Sequence, residues 1–177
     1  MKKTFALVLA IAVLFTFTAC GSSTTKTGLA TITSIGSSKD LTAEKDGTAQ
    51  ADTIIASVTV DSAGKLVTVD IESVQAKINF DKDGKVTSDK AVKVPSKTEL
   101  GEKYGMKKAS KIGMEWNEQI AGLEQWLVGK TADQITNMKV KEVEGKKIAD
   151  EADLMTKVTI GIADYQEVVL KAMASAK

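Results

Sequence analysis

The stretch "ADTIIASVTVDSAGKLVTVDIES", residues 51–73, constrains the fold of this chain more than any other. Apolar and β-branched side chains alternate with polar ones on both sides of Asp61-Ser62-Ala63-Gly64. Period-two alternation describes a strand with one buried face, and four turn-forming residues between two such runs describe a hairpin. The next stretch, "VQAKINFDKDGKVTSD", repeats the pattern around Asp81-Lys82-Asp83-Gly84 and predicts a second hairpin. Asp81 and Asp83 are spaced like the start of a calcium loop. A calcium loop needs glycine at its sixth position, and here it falls at the fourth, so the segment reads as a turn. Upstream, "GLATITSIG" (28–36) alternates apolar and hydroxylated residues and predicts a first strand, followed by a polar loop.

Beyond Pro95 the periodicity changes. Ser96 with Glu99 three places on is a capping-box pattern that opens a short helix or turn. "KIGMEWNEQIAGLEQWLVGK" sets Ile112, Trp116, Ile120, Leu123 and Leu127 at helical spacing, and Gly129 ends the run. Thr131 caps a short helix, "KVKEVEGKKIADEAD" is a charged connection, and a last helix buries Ile162, Tyr165, Val169 and Met173. The expected fold is α+β: an antiparallel β-meander covered by C-terminal helices, in one domain over 28–177, β-rich to 94 and helix-rich from 96.

The first twenty residues, "MKKTFALVLAIAVLFTFTAC", speak to compartment. Lys2 and Lys3 precede an apolar run, Phe5 to Phe17, that is short for a membrane span. Ala19 then precedes the only cysteine of the chain. This pattern resembles a bacterial lipoprotein signal, although Phe17 stands where that pattern prefers leucine. The resemblance implies cleavage after residue 19, acylation of Cys20, and a lipid anchor on the outer face of the cell membrane. Residues 20–27 then form the lipidated cysteine and a small, polar tether. Removing residues 1–19 from the 177 leaves 158, enough for one packed domain without a disulfide.

Missing residue types exclude several functions. All 24 basic residues are lysine, and there is no histidine. Without Lys2 and Lys3, 22 lysines face 23 carboxylates, so there is neither the basic footprint nor the arginine fork that nucleic-acid recognition uses. No Ser-His-Asp triad, Cys-His pair or histidine zinc site can be built. Paired carboxylates remain chemically available, but no organised pair is present, and a non-enzymatic role is expected.

Two segments leading into the long helices are alike. Ser110-Lys111-Ile112 and Thr156-Lys157-Val158 each carry a hydroxyl, a lysine and a β-branched residue. A helix N-terminus offers unpaired N–H groups that either a hydroxyl cap or an anion can satisfy. Both readings apply here, with Asp153 or Thr156 as the cap of the last helix.

The order of these features resembles the exported FMN-binding domain family of bacterial lipoproteins and membrane redox complexes, and uncharacterised Firmicute lipoproteins. That family has a "DG" followed by a hairpin of the V-x-V-x-x-G-K type, and D-x-x-[ST]-G-A-[ST] running into an amphipathic helix. Here Asp46-Gly47 precedes "ASVTVDSAGKLVTVDI", and "DLMTKVT" (153–159) precedes the last helix. The resemblance matches Asp153 to the family aspartate, Thr156 to its first hydroxyl, and Thr159 to the hydroxyl that in some members is esterified by FMN through its phosphate. Ser110 matches the first hydroxyl at the other lead-in, where Lys107 and Gly113 replace the aspartate and the acceptor. Lys157-Val158 stand in place of Gly-Ala, a bulk that works against close backbone approach to phosphate. The motif is therefore a degenerate one.

The resemblance implies a lipid-anchored module for FMN in extracellular electron transfer, with a redox partner protein. Asp153, Thr156, Thr159, Ser110 and Tyr104 are the expected cofactor-binding residues. Tyr104, Trp116, Trp126 and Tyr165 are aromatic rings that could stack on a flavin, although the two tryptophans also fit core packing. The alternative is a cofactor-free envelope protein that binds another protein or a cell-wall component.

Overall fold

A computed structural model describes residues 24–177, so the expected signal segment, Cys20 and residues 21–23 of the expected tether lie outside the described residues. Three strands form the expected antiparallel meander in the order β1 (Lys26–Ser34), β2 (Gly47–Val60) and β3 (Leu66–Phe80). β1 starts two residues before the predicted strand, because Lys26 and Thr27 already pair with Val60 and Thr59. At the β2–β3 turn the Asp61 carboxylate accepts the Ala63 and Lys65 N–H groups at 2.9 and 2.8 Å. Gly64 takes φ +73°, which a side chain would resist. Asp81 holds the Asp83 and Lys85 N–H groups in the same way at 3.0 and 2.8 Å, a turn rather than a calcium loop.

The second hairpin forms only in rudiment. Its first run simply extends β3 to 15 residues, and its return arm is a single bridge between Phe80 and Val86. That arm, "KVTSD", has one apolar residue, so a strand there would bury almost nothing.

The second half carries α1 (Lys97–Leu100), a 3₁₀ turn (Gly101–Tyr104), α2 (Trp116–Leu127), α3 (Ala132–Thr136) and α4 (Ala163–Ser175). Both predicted caps form: Ser96 with Glu99 on α1, and Thr131 with Gln134 on α3. The charged connection is not a plain loop but a hairpin of β4 (Val140–Val143) and β5 (Lys146–Ala149). Glu144 and Gly145 turn it with φ 52° and 75°, the two positive angles of a type I′ turn. Its mostly charged strands concealed the alternation.

The apolar face of the sheet (Ile54, Ala56, Val58, Val60, Leu66, Ile71) is covered by α4 and α2. α4 contributes Tyr165, Val168, Val169 and Ala172, and α2 contributes Trp116, Ile120, Leu123 and Leu127. α4 lies so close to β1 that a Cβ on Gly28 would overlap the Ala172 carbonyl. Thr27 and Lys177 exchange backbone hydrogen bonds of 3.3 and 3.1 Å, so the two ends of the described chain meet. Sheet, core and covering helices all lie within the described residues. No helix among the described residues is long and apolar enough to cross a membrane.

Candidate functional site

The apolar face of β2 changes character at its N-terminal end, where Gln50 and Asp52 replace aliphatic residues opposite Lys77 and Gln75 of β3. Asp52 accepts hydrogen bonds from the Ser37 hydroxyl (2.6 Å) and the amides of Gln50 (2.7 Å) and Gln75 (2.9 Å). Burial acts against this carboxylate, but those three donors together with Lys97 hold it below its ordinary pKa. The Tyr104 hydroxyl extends the cluster by donating to Gln75 at 3.3 Å.

Lys97, the first residue of α1, enters this region with its side chain 8% exposed. Its ammonium lies 5.1 Å from the Tyr104 ring centroid and 5.2 Å from that of Trp116. Such distances give cation–π attraction. Burial pushes the Lys97 pKa down, opposed by the charges of Asp52 and Glu72. Trp116 in turn donates its indole N–H to the Tyr165 hydroxyl at 2.8 Å. Burial raises the Tyr165 pKa to about 12, so the phenol keeps its proton.

Of these groups Lys97, Trp116 and Tyr165 line a cavity of about 780 Å³. The β4–β5 hairpin, from Val143 to Ile148, and the lead-ins to α2 and α4 also line it. At its floor Gln119, 1% exposed, joins the two lead-ins. Its Nε2 donates to the Ser110 hydroxyl (3.1 Å), while its Oε1 accepts the Thr159 N–H (2.9 Å) and the Thr159 hydroxyl (3.2 Å). Four lysines (97, 111, 146, 147) and two carboxylates (Glu144, Asp164) border the space.

Of the residues singled out by sequence, Ser110 and Thr159 meet at this cavity. Tyr104 stands behind Lys97 and does not line it. Asp153 and Thr156 line a different, shallow cleft with Gly122, Gln125, Trp126 and Lys157. Neither caps the last helix. The chain turns over 152–157 and bends at Ile160, Gly161 bridges to Ile148, and α4 begins only after Ile162, with no side-chain cap. Ser110 does not cap α2 either. Gly113 takes φ +65°, Ile112 stays outside the helix, and Glu115 is its N-cap residue. The Glu115 carboxylate accepts the Met106 and Lys107 N–H groups at 2.8 and 3.0 Å.

Sequence reasoning missed Gln119 and Lys97. Gln119 is a polar residue on the buried face of an amphipathic helix, which needs a partner. Lys97 follows a capping serine directly, where the helix dipole favours acids over bases. No metal-binding group of three or more acidic or cysteine side chains occurs among the described residues. No protein family, curated protein or solved structure matches this chain.

Proposed function

We propose that this chain is a lipid-anchored, extracytoplasmic binding module without catalytic activity, whose ligand occupies the cavity over Gln119. FMN is the ligand put forward by the resemblance, in the service of electron transfer with a redox partner. The observation that carries the reading is the Gln119 bridge. It brings the Ser110 and Thr159 lead-ins, 49 residues apart, to the floor of one space.

The volume is within the range of small-molecule sites, roughly 300–1,000 Å³, and the wall combines Trp116 and Tyr165 with lysines suited to a phosphate. The half of the motif that holds Asp153 and Thr156 does not reach it. The Thr159 hydroxyl is engaged with Gln119, which favours non-covalent binding. A visible spectrum of the purified domain with added FMN tests this: a perturbed blue flavin band supports it, and an unperturbed one leaves the cofactor-free alternative. Mass spectrometry of the peptide around Thr159, from cells able to flavinylate another substrate, is expected to give the unmodified mass.

A further inference from the structure

We propose that Lys97 anchors an oxyanion carried on an aromatic or similarly flat apolar body, so that the cavity selects aromatic anions over neutral molecules of the same shape. This rests on reading the cavity as a ligand site, and adds the chemistry of the ligand. Lys97 is 8% exposed and lines the cavity, yet no hydrogen-bond acceptor is found for its ammonium, and no carboxylate lies within 4.0 Å, among the described residues. The ammonium keeps a small opening to solvent, and a cation so largely desolvated is stabilised by an acceptor that reaches it there.

The two carboxylates near it are committed elsewhere. Asp52 is held by Ser37, Gln50 and Gln75. Glu72 accepts the Ser96 hydroxyl at 2.8 Å, the Ser73 N–H at 2.7 Å and the Thr98 N–H at 3.4 Å. The two rings beside Lys97 offer faces, not acceptors.

Two other donors line the same space with protons to give. The Tyr165 hydroxyl accepts from Trp116, and the Ser110 hydroxyl accepts from Gln119 and from the Ile112 and Met114 N–H groups; neither donates to another described residue. An ammonium and two hydroxyl donors match an oxyanion, whose lone pairs accept several hydrogen bonds. Met106, Ile148 and Ile160 supply apolar wall for the body that carries it.

The test compares two probes on residues 24–177: 1-anilinonaphthalene-8-sulfonate, and N-phenyl-1-naphthylamine, the same rings without the sulfonate. Fluorescence titration is expected to give tighter binding of the sulfonate. Lys97→Met is expected to weaken the sulfonate about tenfold or more, the size of one charge-assisted hydrogen bond, and to leave the neutral amine within about twofold. Equal sulfonate binding by Lys97→Met and wild type overturns the proposal, while binding of the neutral amine keeps the cavity reading. If wild type binds neither probe, the cavity reading fails and this one with it. Thermal unfolding checks the fold: Lys97→Met removes a partly desolvated charge that has no salt-bridge partner, so its midpoint is expected to lie close to that of wild type. Should it not fold, Lys97→Gln takes its place with the same expected loss.

Discussion

Gln119 and Thr159 are joined twice: one amide oxygen of Gln119 accepts both the backbone N–H of Thr159, at 2.9 Å, and its hydroxyl, at 3.2 Å. The bridge ties the approach to α4 onto the middle of α2. It also fixes the floor of the cavity. Gln119→Leu keeps the shape but leaves the Thr159 N–H and the Ser110 hydroxyl without their partner. We expect a loss of about 2 kcal/mol, the cost of an unmet buried donor, measured by urea unfolding.

Trp116 and Tyr165 form the second link across the site, at 2.8 Å between indole and phenol. Tyr165→Phe preserves the tilted ring pair but leaves a buried indole N–H unpaired. The expected cost is about 1–2 kcal/mol, with a shift in Trp116 emission. A variant as stable as wild type would show that the indole finds another acceptor.

Glu124 on α2 accepts the Ile71 N–H at 2.7 Å, and burial, then the charges of Asp70 and Glu72, raise its pKa from 4.5 to about 7. The folded chain therefore keeps a proton that the unfolded chain has released. The stabilisation from this group is complete below pH 4.5 and is lost as pH rises through about 7. Glu124→Gln retains an acceptor for Ile71 and is expected to flatten the stability profile over that window, read from unfolding midpoints. An unchanged slope would assign the pH dependence to other groups.

Gly28→Ala is expected to be far more damaging than glycine-to-alanine changes at exposed strand positions, because its Cβ would meet the Ala172 carbonyl of α4. A loss of about 3 kcal/mol follows from overpacking at a backbone contact. Since α4 also carries Tyr165, the variant should weaken cavity ligands in proportion to the displacement of the helix.

The layout was legible where pattern and burial coincide. The β2–β3 hairpin, the helical spacing from Trp116 to Leu127 and the two caps at Ser96 and Thr131 could be read directly, because each rests on local chemistry. The β4–β5 hairpin could not, since its strands bury little and charge masks their alternation. The site was half legible. Ser110 and Thr159 were found through their residue types, but Asp153 and Thr156 line a separate cleft, and no local rule tells which hydroxyls of one segment share a site. Lys97 and Gln119 acquire their roles partly from contacts distant along the chain, Trp116 for the one and Thr159 for the other, which local pattern does not show.

The most direct measurement is a titration of FMN fluorescence with wild-type residues 24–177, Gln119→Leu and Thr156→Ala. The account predicts saturable quenching by wild type, weakened about tenfold in Gln119→Leu, in line with roughly 1.4 kcal/mol, and unchanged in Thr156→Ala. Flavin fluorescence that stays unquenched throughout, or a Thr156→Ala loss equal to that of Gln119→Leu, would contradict it.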